Sequence, residues 1–176
     1  SANWHVDYED SRKADGIILL GYGDYELYQP KLEQLIQQGT HFVRWGLVGG
    51  HDEMGTTIGC DNMDGGRLAA EHLIAHGRKH IAFLGDASDH YPEFRDRYLG
   101  ARNAIFAAGL DISLELQVDA LNTEQSGFDA AQQLFASGVR FDAIFAASDL
   151  IAIGAIRAIE DAGMSIPGDV AVIGFD

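Results

Sequence analysis

The chain has 176 residues, 47% of them apolar and 22% charged, a globular composition long enough for one ordinary domain or two small lobes. Acidic residues outnumber basic ones 27 to 12; the resulting charge of −15 argues against a free-standing binder of nucleic acid or of anionic membrane, since both reward clustered Lys and Arg. The single cysteine, Cys60, excludes an intramolecular disulfide framework and a cysteine-rich zinc site and suits a reducing cytoplasm. No apolar run approaches the ~20 residues of a membrane span, and the acidic stretch from Ser1 to Asp10 shows no signal-peptide pattern.

Short β-branched runs alternate with longer amphipathic ones. Gly16 to Leu20 (GIILL) reads as a strand, and Pro30 to Gln38 as a short helix with Leu32, Leu35 and Ile36 on one face and Gly39 as its stop. His41 to Trp45 and Thr57 to Cys60 are strand-like. Asp61 or Asn62 caps a helix to about His76, with Leu68, Ala69, Leu73 and Ile74 on one stripe and Gly77 as its stop. His80 to Leu84 is the next strand, and a helix follows from about Pro92 to Ala108. Leu114 to Val118 alternates as a strand, and Thr123 to Ser137 is a helix with Phe128, Ala131 and Leu134 inward. Phe141 to Ala146 is an apolar strand, and Asp149 to Ala162 a helix with Ile153, Ile156 and Ile159 on its core side. Asp169 to Gly174 is the last strand. This strand–helix–strand spacing predicts an α/β fold of parallel strands with right-handed crossovers. Runs such as IILL, IAFL and AIFA are apolar on both faces, as in a sheet covered by helices on both sides. The stop at Phe175-Asp176, with no closing helix, reads as a piece of something longer.

In open parallel sheets the ligand crevice lies beyond the carboxyl ends of the strands. Those ends carry Tyr22, Trp45, Asp61, Asn62, Asp86, Asp119, Ser148, Asp149 and Asp176. Carboxylates and amides pair with hydroxyls and an aromatic face stacks on a sugar ring, so the set suits a neutral polyhydroxyl ligand. The plainer reading is that Asn62 and Asp149, which open helices, are N-caps. Catalytic motifs are absent: there is no GxSxG, HExxH or GxxxxGK[ST]. Gly21 and Gly23 resemble a dinucleotide loop only loosely, because Tyr25 and Glu26 stand where a third Gly is needed and the next helix is expected to begin too late. His72 and His76 have the i, i+4 spacing that zinc could use, but no third ligand follows, and a solvated helix end is the plainer reading. Asp61 and Asp64 offer too few oxygens for a calcium loop. No metal or cofactor is therefore expected. Arg95 and Arg97 stand on the first turns after Pro92; a guanidinium in a crevice mouth presents a planar fork to hydroxyls. Against that stands surface pairing with Glu93 or Asp96, expected of one of the two.

Several segments, taken in order, resemble the effector-binding domain of the LacI/GalR family of bacterial transcription regulators. They are ADGIILLG (14–21), DNMDGGRLAAEHLIAHGRKHIAFLGD (61–86), FRDRYLGARNAI (94–105), SGFDAAQQLF (126–135), FDAIFAASDLIAIGAIRAIEDAG (141–163) and IPGDVAVIGFD (166–176). The resemblance covers nearly the whole chain. It implies a two-lobed, periplasmic-binding-protein-like fold, with residues 1–76 in the first lobe and 77–176 in the second. It implies no catalysis. It also implies a DNA-binding headpiece, a first strand–helix unit and a closing segment that this sequence does not contain, and a helix before DGIIL for which Trp4 to Asp15 is short. Carried over by position, Asp64 faces the cleft, Arg97 clamps a sugar and Asp176 binds ligand hydroxyls. Glu93 sits where a small polar contact is usual, and Ser148 replaces a common Asn. Asn122 stands where many relatives carry a stacking aromatic, leaving Trp45, Tyr22 or Tyr91 as substitutes. The implied partners are a sugar-type effector, operator DNA through the headpiece, and a second copy in a homodimer, in the cytoplasm. The alternative is a sugar-binding protein of a periplasmic transport system; HLIAHGRKHIAFLGD is nearer the regulator version.

Overall fold

The computed structural model describes residues 15–20, 25–46, 57–110 and 113–176. By contact the chain divides into two compact units, Ser1–Asp61 and Asn62–Asp176. The first contains β1 (Ile17–Leu20), α1 (Tyr25–Gln37), β2 (Phe42–Trp45) and β3 (Thr57–Ile58), with the strands parallel in the order β1-β2-β3. The second begins with α2 (Asn62–Ala75), β4 (Ile81–Leu84), α3 (Pro92–Ala107) and β5 (Gln117–Val118). It continues with α4 (Glu124–Ser137), β6 (Ala143–Ala146), α5 (Asp149–Asp161) and β7 (Ala171–Ile173). Its sheet is parallel throughout, in the order β5-β4-β6-β7. The chain leaves β4 toward one edge and returns past it to β6, the signature of a doubly wound sheet whose switch point lies between β4 and β6.

Helix ends in the second unit follow local chemistry. The Thr123 hydroxyl accepts the Ser126 N–H at the start of α4, and Gly138 ends that helix in the left-handed conformation at φ 70°. The Ser148 hydroxyl accepts the Ile151 N–H at the start of α5. Core residues of β4 and β6 are buried along their whole length, and Leu84, Ile144 and Phe145 are sealed from solvent. The helices pair closely. A Cβ on Gly66 would fall 2.0 Å from the Arg97 carbonyl oxygen, and one on Gly100 would fall 1.9 Å from that of Met63. Gly127 and Gly154 do the same for α4 and α5, meeting the carbonyl oxygens of Ile151 and Glu124 at 2.2 and 2.0 Å. Each helix of a pair thus offers a glycine to its partner's backbone, and the axes approach to a distance that no side chain would permit.

Several expectations shift. Contact division separates the chain at 61/62 and puts α2 with the second unit, where it packs along α3 through Gly66 and Gly100; the lobe boundary expected at 76/77 is a different division of the chain. The first helix begins at Tyr25 and contains Pro30, so it starts more than a turn earlier than the proline suggests. The alternation in Leu114–Val118 resolves into a 3₁₀ turn, Leu114–Leu116, followed by the short β5. There the Ser113 hydroxyl accepts the Glu115 N–H and tightens the chain before the strand. β3 stops at Ile58 and β7 runs only from Ala171 to Ile173. Leu68 and Ile153, expected inward, are exposed; the buried stripes run through Ala69, Ala70 and Leu73 on α2 and through Ile151, Ala155 and Ile159 on α5. The run IILL is apolar throughout, yet Ile18 and Leu20 are exposed while Leu19 is buried. None of the described helices is long and apolar enough to cross a membrane.

Candidate functional site

At the β4/β6 switch point the carboxyl ends of the strands deliver Gly85 and Asp86, Ala147 and Ser148, and Phe175 and Asp176. Arg97, from the second turn of α3, reaches this edge. Its Nε donates to Asn62 Oδ1 at 2.8 Å and its Nη1 to the Ala147 carbonyl at 2.5 Å. The Phe175 ring lies under the guanidinium, with its centroid 3.8 Å from Cζ, and Phe94 stands at 5.6 Å. Asn62 is 2% exposed and Ala147 is sealed, whereas Arg97 is half-buried. Each part has a local cause. Asn62 opens α2, whose close approach to α3 at Gly66 brings its amide to Arg97. Phe175 is fixed by its backbone, since its carbonyl accepts the Asp149 N–H at 3.1 Å at the start of α5. Its ring lies against Gly65, where a Cβ would fall 2.3 Å from a ring carbon. The amide, the carbonyl and the ring together hold the guanidinium plane at the strand ends.

Around this cluster the polar residues are tied locally. The Asp86 carboxylate accepts the Ser88 N–H at 2.9 Å. Gln117 Nε2 donates to the Gly85 carbonyl and to Asp119 Oδ1. Ser148 is 8% exposed and caps α5, and Asp176 is exposed next to Phe175. Arg97 through its bond to the Ala147 carbonyl, Ser148 next to Ala147, and Asp176 next to Phe175 thus lie at the carboxyl ends of the strands. Asp64 is placed differently. It lies two residues beyond Asn62 on α2, a spacing that turns side chains to different faces, and its carboxylate accepts Arg67 Nε at 2.8 Å. Arg67 also donates to Glu71 at 2.6 Å, and these two carboxylates, Asp64 foremost, raise its pKa above the ordinary arginine value. The sequence reading put Asp64 in the first lobe; by contact it belongs to the second unit.

Of the two arginines, Arg95 takes the surface role. It donates to Asp89 at 2.5 Å and to Asp96 at 3.2 Å, and its pKa is raised, mainly by the Asp89 bond. Glu93 is half-buried in the first turn of α3, and Asn122 is exposed on the turn before α4. Tyr91 is half-buried and its ring stacks at 6.2 Å on Phe94. Trp45, 49% exposed, ends β2 in the first unit beside Leu20 and Ile58. Tyr22 lies outside the described residues. Sequence reasoning missed Asn62 as a partner of Arg97 and Phe175 as its shelf. The only signal was position: Asn62 follows a strand end, and Phe175 immediately precedes an aspartate already singled out.

A cavity of about 20 Å³ lies elsewhere, between α3 and the sheet, lined by Ile81, Phe83, Tyr98, Ile105 and Phe145 among others. It has room for about one water and is mostly apolar, so it is a packing gap and not a sugar site. Among the described residues no group of three or more His, Cys, Asp or Glu side chains is placed to hold a metal.

The sequence profile of the periplasmic binding protein-like domain matches residues 70–176. The chain is 32% identical over 170 residues to the HTH-type transcriptional regulator CelR of Thermobifida fusca, covering 96% of this chain and 49% of that protein. It is 30% identical over 165 residues to the ribose operon repressor of Escherichia coli K12, covering 94% and 49%. Among solved structures, a complex of the transcriptional regulator CelR with cellobiose superposes at a TM-score of 0.85 and 31% identity, covering 99% of this chain and 53% of that one. A regulatory protein of the LacI family from Chloroflexus aggregans does so at 0.84 and 28%, covering 100% and 62%. The chain spans about half the length of the curated relatives it matches. These relatives are transcriptional regulators.

Proposed function

Since the chain belongs to the periplasmic binding protein-like domain family, in the form found in LacI-type regulators, we propose that it is the effector-sensing part of a transcriptional regulator. Its ligand is a small polyhydroxylated molecule, a sugar or sugar derivative, and it carries out no chemistry on that ligand. The observation that carries this reading is the Arg97 cluster: a guanidinium held flat by Asn62, Ala147 and Phe175 at the switch point of a doubly wound sheet. Such a fork gives charge-assisted hydrogen bonds to vicinal hydroxyls, and Asp176 beside Phe175 accepts from hydroxyls in turn. Ser148, Glu93 and Asn122 line the same unit as secondary polar contacts.

Regulation then works by population shift. A ligand that binds one arrangement of the protein more tightly than another moves the balance by its differential affinity and by no more. The output is operator binding through a basic headpiece, in a cytoplasmic homodimer whose two-fold symmetry matches a palindromic site. The acidic charge of −15 fits a sensor that leaves DNA contact to another segment. The alternative, a transport binding protein, is disfavoured because the relatives named above are regulators.

Titration calorimetry of the full-length protein against a panel of sugars, with cellobiose and ribose included because two relatives point to them, tests the reading. Hydrogen bonds to charged groups contribute about 1.5–3 kcal/mol, so Arg97→Ala and Asp176→Ala should each weaken the best ligand by roughly tenfold to a hundredfold. Unchanged affinity in both variants would remove the site.

A further inference from the structure

We propose that His72, on the last turn of α2, and His76, just past its end, form a two-imidazole site for a late first-row divalent cation, Cu²⁺, Ni²⁺ or Zn²⁺. The pair stands outside the Arg97 cluster and is independent of the effector reading. The i, i+4 spacing puts both side chains on one face of the helix, and the rings lie with centroids 4.3 Å apart, tilted by 36°. His76 Nδ1 stands 2.8 Å from the His72 carbonyl oxygen. In the tautomer whose Nδ1–H donates to that carbonyl, Nε2 carries the lone pair. That is the outer-shell arrangement of a metal-ligating histidine: one ring nitrogen donating to a carbonyl, the other offered to the ion.

The surroundings leave the position open to a cation. Both histidines are exposed, so water fills the remaining coordination places. Glu71, the adjacent carboxylate, is engaged by Arg67 at 2.6 Å. The guanidinium of Arg78, just past the helix, is drawn away to the carbonyl oxygens of Asp142 and Pro167. The pair also sits at the carboxyl end of α2, where the helix dipole favours positive charge. Two imidazoles that the backbone already sets one turn apart offset part of the lack of a third ligand, because the ion has less of the chain to order. The ion would staple the final turn of α2 just before the chain enters β4, and it would stabilise the folded chain through binding.

Titration calorimetry and thermal unfolding of the intact chain, with any histidine tag removed, test this with NiCl₂, ZnCl₂ and CuCl₂. One ion per chain should bind, with copper tightest, the unfolding midpoint should rise, and a chelator should reverse both effects. MgCl₂ and CaCl₂ should do neither, since they prefer oxygen ligands. His72→Ala and His76→Ala should each weaken binding by roughly tenfold or more, with far-UV dichroism unchanged because both side chains are exposed. His90→Ala, in a different loop, should bind as the parent does. If either α2 variant retains the parent affinity, or His90→Ala loses as much, the site does not exist.

Discussion

The two sheets are built from the same kind of strand and end up in different states. In the second unit, IAFL of β4 and AIFA of β6 are buried at every position. In the first, IILL of β1 alternates, with Ile18 73% and Leu20 57% exposed on either side of the buried Leu19. The parallel register extends that exposed row across the sheet, from Leu20 to Trp45 to Ile58. A continuous apolar run therefore states what a strand tolerates on both faces; it does not state what lies there. The buried face of the first sheet has its own cost. Arg44, next to Leu19 in register, is 7% exposed; its Nη2 donates to the Thr57 hydroxyl at 3.0 Å, and its Nε has no partner among the described residues. Such a donor forfeits its hydration without full return.

The largest effect that separates the sheets should come from truncating their side chains. Phe145→Ala removes a sealed ring that packs edge-on against Phe83 at 5.3 Å and should cost about 3–5 kcal/mol of unfolding free energy. Ile18→Ala, with most of its surface already in water, should stay within about 0.5 kcal/mol. Urea unfolding of both variants reads the difference. Equal losses would mean that the face of β1 is covered in solution and would erase the contrast.

A second contrast concerns glycines and sharpens the comparison by cause. Gly100 in the second unit lacks space: a Cβ would sit 1.9 Å from the Met63 carbonyl oxygen, so Gly100→Ala must push α2 and α3 apart. Overpacking of that kind costs about 1–3 kcal/mol. Gly39 in the first unit has open space but a φ of 71°, so Gly39→Ala should cost about 1–2 kcal/mol from conformation alone. The two causes part on asparagine, which tolerates the left-handed region but is larger than alanine. Gly39→Asn should recover much of the loss in denaturant midpoint, and Gly100→Asn should deepen it. The reverse order would overturn the close-packing account of the helix pair.

Period and punctuation made most of the second unit legible in the sequence. Gly77, expected as the stop of α2, takes positive φ, and Gly109, Gly138 and Gly163 do the same just past α3, α4 and α5. The same signals misplaced α1, because Pro30 looks like a first-turn residue and sits inside the helix. They misjudged Ile153 because a helix as apolar as α5 offers more than one stripe, and only packing against α4 selects the one through Ile151 and Ala155. At the site, residue type and strand-end position singled out Arg97, whereas its partners follow from tertiary contact. Asn62 lies 35 residues away in sequence and Ala147 lies 50 away. Nothing local to α3 announces a carbonyl past β6 as its anchor.

The smallest effect tests whether membership of the well-buried unit makes every bond in it strong. In the turn between α5 and β7, the Ser165 hydroxyl and N–H both donate to Asp169 Oδ2 at 2.7 Å, and the Ser165 hydroxyl accepts the Asp169 N–H at 3.2 Å. These bonds, the hydroxyl first, hold the Asp169 carboxyl below the usual carboxylate range. A folded-state value below the unfolded one adds stability above the unfolded pKa of about 3.9 and loses it as pH falls through the folded value. Asp169→Asn should therefore lower the urea midpoint slightly at pH 7. The gap should close in acid, where the parent carboxyl is itself neutral. The group is fully exposed, so solvent screening keeps the effect small despite the sealed core nearby. A gap that stayed constant from pH 7 into acid would assign the loss to the shape of the turn and not to the charge on Asp169.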